Sequence, residues 1–308
     1  MARAVVIGAN GFLGSHLVEK LVDAGHNVRA FDRFSSAEPS FATTGVEIVR
    51  GEFLSRTDLE EAVADQELVF HFLSTTTPAT AESDPTLDVR TNVAQTIELL
   101  ESCVSSGVRH FYFASTGGAI YGMQDKAFYR ESDRALPVSP YGIGKLTIEH
   151  YLRYFGRLHD FRATSFRISN PYGPRQHENK LQGLIPIALR RISKGQPVLM
   201  FGDGSMVRDY VYVNDVVEMM MRVVHGDPRS DLYNIGSGVG YSVREVVDAL
   251  REVVTSDFVI EQRPIPATFI DRVVLDMRRF EAEFGTMPST SLRDGIRATA
   301  IGMGLLDG

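Results

Sequence analysis

Tyr141 and Lys145 stand four apart in Ser139-Pro140-Tyr141-Gly142-Ile143-Gly144-Lys145. On a helix both side chains project from one face, about one turn apart. A phenol beside an ammonium is a proton-transfer pair. The fixed positive charge favours phenolate, so Tyr141 is expected to fall from a pKa of about 10 toward neutrality. A four-residue spacing of this kind occurs by chance in many chains. Its weight therefore depends on the elements that position it.

Those elements begin at the N-terminus. Ala4-Val5-Val6-Ile7 is a β-branched run suited to a strand buried on both faces. A glycine-rich stretch, Gly8 to Gly14, follows. Helical periodicity then runs from Ser15 to Ala24 through Leu17, Val18, Leu21 and Val22, and Gly25 ends it. A second strand, Asn27 to Phe31, closes at Asp32. Further strands are expected at Val46–Val49, Glu67–Phe72 and Arg109–Ala114, with helices near 57–64 and 89–106 between them. This alternation predicts right-handed βαβ units and a Rossmann-type, doubly wound parallel sheet.

Gly8, Gly11 and Gly14 lie between the first strand and the first helix. A tight turn that approaches a pyrophosphate has no room for a Cβ, and the helix N-terminus offers its N–H groups to the phosphates. The spacing is G-x-x-G-x-x-G rather than the G-x-G-x-x-G of ordinary dehydrogenases. Phe12 and Leu13 belong to the same loop. Asp32, at the end of the second strand, suits the hydroxyls of an adenosine ribose and favours NAD over NADP. Arg33 beside it is the residue that could instead meet a 2′-phosphate.

Bulk properties narrow the class. The 308 residues are 44% hydrophobic, enough for one large core or two lobes. The net charge of −7, without a basic block, lends no support to nucleic-acid or membrane-surface binding. The single Cys103 excludes an internal disulfide and a multi-cysteine metal site, and its helical surroundings make it a small core residue. The eight histidines lack ligand spacing, so no metal is expected; His71 and His110 read as satisfied residues of buried strands. No leader pattern precedes the first strand and no apolar run approaches the ~20 residues of a membrane span. The chain reads as soluble and cytoplasmic.

Three features coincide: the spaced glycines, the Tyr141/Lys145 pair, and Ser115-Thr116-Gly117-Gly118-Ala119-Ile120-Tyr121-Gly122 at the end of the 109–114 strand. Together they resemble the extended short-chain dehydrogenase/reductase family, and within it the nucleotide-diphosphate-sugar epimerases of the UDP-glucose 4-epimerase type. The resemblance covers almost the whole chain. It implies a Rossmann domain over 1–168 with a returning segment near 206–236, and a smaller nucleotide-sugar lobe formed by 169–205 and 237–308.

The resemblance also implies site residues. Thr116 matches the catalytic Ser/Thr, with Ser115 as a fallback because Gly117-Gly118 lengthens the loop. Tyr141 matches the catalytic acid/base, and Lys145 the lysine that holds the nicotinamide ribose. Glu52-Phe53 resembles the pair that meets adenine. Leu73, Ser74 and Thr75 match the segment lying along the cofactor, and Asn92 an asparagine near the nicotinamide. In the second lobe Asn170 matches a diphosphate ligand. Met200 and Phe201 lie in the segment flanking the base. Arg208 is the expected phosphate ligand, a task that suits a planar guanidinium. Arg263 is a further arginine ligand, with Arg272 competing. Asp215 reads as a helix cap.

The implied reaction is C4 epimerisation of a UDP-sugar through a transient 4-keto intermediate, with tightly held NAD regenerated at each turnover. The sugar can be a hexose, an N-acetylhexosamine or a hexuronate; Arg175 is the candidate cation for a hexuronate carboxylate. Relatives that eliminate water carry Asp-Glu after the catalytic Thr, where this chain has Gly117-Gly118. The alternatives are an NADPH-dependent 4-ketoreductase, a dehydratase, and a non-catalytic dinucleotide sensor. Relatives dimerise through the Asn92-region and Tyr141 helices, and Ile148, Tyr151, Leu152 and Phe155 supply apolar surface for this or for the core.

Overall fold

The computed structural model describes residues 1–35, 38–176, 183–254, 257–265 and 270–307. The first half contains β1 (Arg3–Ile7), α1 (Phe12–Asp23), β2 (Asn27–Asp32), β3 (Glu47–Arg50), α2 (Arg56–Val63) and β4 (Leu68–His71). Then come α3 (Pro78–Ser83), α4 (Pro85–Asp88), a π-helical turn (Val89–Ala94), α5 (Gln95–Ser105), β5 (His110–Thr116), the short α6 (Gly117–Ile120), α7 (Pro140–Leu158) and β6 (Arg162–Ile168). The second half contains β7 (Asn170–Tyr172), α8 (Leu184–Ser193), β8 (Val198–Phe201), β9 (Val207–Tyr212), α9 (Val213–His225) and β10 (Leu232–Ile235). It ends with β11 (Gly240–Ser242), α10 (Val243–Val253), β12 (Ile260–Arg263), β13 (Arg272–Val273), α11 (Arg278–Phe284) and α12 (Leu292–Gly302).

Seven parallel strands form the central sheet in the order β10-β6-β5-β4-β1-β2-β3. Strand order reverses at β1, the point where such sheets open a crevice for ligands. Both faces are buried, which is why β1 and β5 read as continuous apolar runs. Alternate residues go to opposite faces. Ala4 and Val6 pack with Leu17, Leu21, Val217 and Met220 under α1 and α9. Val5 and Ile7 pack with Leu59, Leu99, Cys103 and Ile148 under α2, α5 and α7. Cys103 is fully buried, as its helical setting predicted.

The expected strands and helices are present, with informative shifts. β5 runs on through Thr116, so Ser115 and Thr116 are strand residues on opposite faces rather than a loop. The expected 89–106 helix is α5 preceded by a π turn, a feature often found beside functional sites. The returning segment begins at α9, not near 206. α9 packs on the main sheet and β10 joins its edge, whereas β9 lies in a separate sheet with β7, β11 and β13. The remaining lobe packs α8, α10 and α12 around Ile185, Leu189, Val246, Leu250 and Ile296. Asp215 does not cap α9; its carboxylate accepts from the Thr290 amide (2.7 Å) and hydroxyl (2.9 Å). Among the described residues no helix is long and apolar enough to cross a membrane.

The two halves are joined by one buried carboxylate. Asp209 on β9 is fully buried. It accepts from the Ser237 amide (2.8 Å) and hydroxyl (2.7 Å), the Gly238 amide (3.2 Å), the Leu275 amide (3.2 Å) and the Ser169 hydroxyl (3.3 Å). Burial pushes its carboxyl above the usual range despite these donors. Ser169 follows β6 and Ser237 follows β10, so Asp209 ties the exit of the main sheet to the lobe. Asp209→Ala would strand one buried and two part-buried amides and is expected to cost about 3 kcal/mol. Urea unfolding measures this, and a loss near zero would contradict it.

Candidate active site

The register of the central sheet brings the predicted residues to one edge. Ile7 pairs with Phe31 and His71, His71 with Phe113, and Phe113 with Ser165. Gly8, Asp32, Leu73, Thr116 and Ser169 therefore leave the sheet at the same end. Gly8 adopts φ +92°, and a Cβ there would lie 2.7 Å from the Leu73 amide nitrogen. A Cβ on Gly14 would lie 2.1 Å from the Gly8 carbonyl oxygen. The loop is thus as tight as its spacing required. It delivers the chain to an α1 N-terminus that has no side-chain cap and no acidic residue in its first turn. That end is open to an anion. Asp32 receives the Arg33 amide (2.7 Å) on one oxygen and the Asn10 amide (3.1 Å) on the other, which aims its carboxylate beside the loop. These features fit the pyrophosphate and adenosine ribose of NAD.

Ser139 caps α7 through the Gly142 amide, and Pro140 occupies the first turn. Tyr141 and Lys145 share one helix face, with the ammonium 5.7 Å from the Tyr141 ring centre. Lys145 is buried, donates to the Ala114 carbonyl (2.9 Å) and lies 4.7 Å from the Phe113 ring centre. It thereby pins α7 to the end of β5, next to Thr116. The expected depression of the phenol is not present in the protein alone. Burial, with the negative charge of Asp88 adding to it, pushes Tyr141 up to about 12. The lysine is engaged by a carbonyl, and desolvation of the phenolate outweighs it. His71 lies behind Lys145. Burial, and then the lysine charge, lowers its pKa to about 3, so it stays neutral. It pairs with the Thr96 hydroxyl (3.0 Å), as His110, lowered to about 4, pairs with that of Thr164 (2.8 Å).

Several other expectations change. Ser115 is turned away from the cleft and donates to Glu149 (2.6 Å), whose carboxylate also holds Arg167 (2.7 Å) in a buried pair. Thr116 lies on the opposite face of the strand. Phe53 is buried in the core and stacks on His71 with ring centres 5.2 Å apart. Glu52, beside it, is exposed. Asn92 is saturated within the protein. Its oxygen accepts from the Thr75 amide (2.9 Å) and hydroxyl (3.0 Å), and its NH₂ donates to Thr76 (2.8 Å) and Asp88 (2.8 Å). It orders the 74–76 segment. Ser74 is likewise turned to its own loop, donating to the Thr76 carbonyl (2.9 Å).

In the lobe Asn170 lies under the α6 turn, within 3.7 Å of where a Gly118 Cβ would stand, and donates to the Asp209 carbonyl (3.2 Å). Arg208 is half-buried and donates to the Val207 carbonyl (2.9 Å). Burial lowers its pKa, against the opposing charges of Tyr210 and Asp271. Arg175 is not an open cation. It forms a two-pronged pair with Glu19 of α1 (2.9 and 3.0 Å). Met200 is buried in the lobe core, and Phe201, half-buried, packs against that core as well. Arg263 is exposed and paired with Glu261 (2.5 Å). Arg272 stands in β13 directly beside Arg208's strand, opposite Val207. Residues 266–268 of that stretch lie outside the described residues. Asp88, Thr76, Glu149 and Asp209 were not identified by motif, because their roles depend on contacts distant in sequence.

A glycine cradle, an acid at the end of β2 and a Tyr–Lys helix packed against β5 define a nucleotide-dependent short-chain dehydrogenase/reductase. Residues 4–236 match the NAD dependent epimerase/dehydratase family, and the chain belongs to that family. It is 32% identical to the UDP-glucose 4-epimerase of Mycolicibacterium smegmatis over 303 residues, covering 96% of this chain and 97% of the relative. Its fold matches UDP-glucose 4-epimerase of Thermotoga maritima, crystallised with UDP-glucose, at a TM-score of 0.92 and 33% identity over 98% of each chain. It matches the UDP-glucose 4-epimerase of Thermus thermophilus, in complex with NAD, at a TM-score of 0.90 and 32% identity, covering 98% of this chain and 99% of that one.

Gly14→Ala should force the loop open and weaken NAD retention by about tenfold or more, the equivalent of ~1.4 kcal/mol. Nicotinamide content of the purified protein reads this directly, and wild-type content in the variant would contradict it.

Proposed function

We propose that this protein is an isomerase that inverts C4 of a UDP-sugar by NAD-dependent oxidation and re-reduction. The observation that carries the reading is the Tyr141–Lys145 helix face locked to the end of β5 beside Thr116. NAD, when bound, supplies the hydride acceptor and donor at the nicotinamide. Tyr141 takes the proton of the C4 hydroxyl and later returns it. Thr116 orients that oxygen. Lys145 fixes the phenol relative to β5 and brings positive charge to it. Gly8, Gly11, Phe12, Leu13 and Gly14 hold the pyrophosphate, and Asp32 holds the adenosine ribose.

Asn170, Arg208 and Arg272 or Arg263 take the UDP diphosphate, and Phe201 lies against the base. Binding through this handle lets the freed 4-keto sugar turn within the site, because the pyrophosphate, not the ring, carries the attachment. A Cβ on Gly117 would meet Leu275 and the Arg167 carbonyl, so the first position after Thr116 has no room for the acid that elimination requires there. With Arg175 committed to Glu19, a neutral hexose or N-acetylhexosamine fits better than a hexuronate.

We also infer a cytoplasmic homodimer. Ile148, Leu152 and Phe155 are core residues, so they do not form the interface. Ile143, Tyr151, Tyr154 and Leu158 are the apolar side chains that α7 leaves exposed, and Leu87 and Val89 extend the face. Light scattering should give twice the 34.1 kDa chain mass. Tyr154→Glu should shift it toward the single-chain value, and a single-chain mass for the wild type would remove the dimer.

The activity test is incubation with UDP-glucose, UDP-galactose and their N-acetylhexosamine counterparts without added cofactor. Interconversion of C4 epimers without net NADH is expected. Tyr141→Phe should lower turnover by about a thousandfold while UDP-sugar binding persists. Conversion that requires NADPH and a keto-sugar would instead identify a reductase.

A further inference from the structure

α7 presents three residues on the face that meets the cleft. Tyr141, Gly144 and Lys145 stand at positions i, i+3 and i+4. Against this face lies Asp88, the last residue of α4, which is 3% exposed. One oxygen of its carboxylate accepts from the Thr76 hydroxyl (2.5 Å) and the Asn92 amide (2.8 Å). The other is turned to α7, so close that a Cβ on Gly144 would lie 2.0 Å from it. A charged group has been brought up to the backbone of the helix that carries the proton-transfer pair, where the helix has no side chain to hold it off.

We propose that Asp88 is a positioning residue that sets the working pH of Tyr141 by placing a fixed negative charge behind the phenol. The inference rests on Tyr141 being the acid/base. A negative charge there opposes phenolate and favours the protonated form. It is the counterpart of Lys145, which favours phenolate. Burial of Tyr141 and the Asp88 charge act in the same direction on the phenol. Among the other charges on elements packed against α7, Glu82 of α3 is exposed, Glu98 of α5 accepts from Gln95 and Glu101 of α5 pairs with Arg56. Glu149, one turn beyond Lys145, is neutralised by Arg167 of β6. Arg90 of the π turn acts on Asp84. His71 of β4 is neutral.

This division of labour keeps Tyr141 protonated in the protein alone. The sugar hydroxyl meets a base whose strength is set by the balance of these charges. Asp88 also carries the π turn. Through Thr76 and Asn92 it orders the 74–76 segment, so its removal has a structural consequence as well as an electrostatic one. The test must separate the two.

Asp88→Asn keeps an acceptor for Thr76 and Asn92 and removes the charge. The acidic limb of the kcat/KM profile of the NAD-bound enzyme should move to lower pH by about half a unit to one unit. Asp88→Ser, also uncharged, should move it the same way. Thr76→Val breaks a hydrogen bond of Asp88 but leaves the charge, and its limb should stay at the wild-type position. A folded Asp88→Asn enzyme with an unmoved limb overturns the proposal. So does an equal shift in Thr76→Val, or failure of both uncharged variants to fold, since either assigns Asp88 a purely structural role. Tyr141→Phe, run in the same assay, tests the underlying reading separately. If that variant stays active, the acid/base assignment fails; if it is inactive and the limb is unmoved, the Asp88 inference fails alone.

Discussion

Parallel pairing of β1 between β2 and β4 is the constraint on which the rest of this molecule depends. Parallel strands deliver all their carboxyl ends to one edge, and the strand order reverses at β1. Gly8, Asp32, Leu73 and Thr116 are far apart in sequence, yet each follows or ends a strand of this sheet. A one-residue slip in any of these pairings would turn the strand's buried set to the other face and carry its terminal residue out of the crevice. The close approach of Gly8 to Leu73 shows how little freedom the register leaves.

On this edge, chemistry is arranged as a balance of charges around one phenol. Lys145 comes from the same helix and Asp88 from the α4 end, and burial removes the water that would screen them. The result for the protein alone is a tyrosine harder to ionise than in water. Composition of the Tyr–Lys motif by itself predicted the reverse. The motif names the two participants, but the sign of the net shift belongs to everything that packs around them.

The second lobe is held by different means. Asp209 gathers amides and hydroxyls from the exits of β6, β10 and β13, while Arg175 and Glu19 bridge the 175 loop to α1. These contacts explain why Asn170, next to Asp209 in space, and Arg208, next to it in the chain, are placed by the same knot of hydrogen bonds. A buried charge here organises loops more than it stabilises the fold, since desolvation offsets much of what its bonds contribute.

Much of this was legible before any coordinates. Strand–helix alternation gave the doubly wound sheet because hydrophobic periodicity is a local property. The glycines marked the phosphate loop because a Cβ is locally impossible there. Tyr141, Lys145 and Thr116 followed from short motifs. What could not be read were facts about facing and partnership. Ser115 points to Glu149, Phe53 into the core, Asn92 to its own neighbours and Arg175 to Glu19. Each is a residue of the right type whose hydrogen-bonding or packing capacity is taken up by a group distant in sequence. Sequence by itself determined which residue types stand at which strand ends, because periodicity and turn chemistry act over a few residues. Tertiary structure alone decided which of them remain available to a ligand, because burial and pairing depend on which distant side chains arrive beside them.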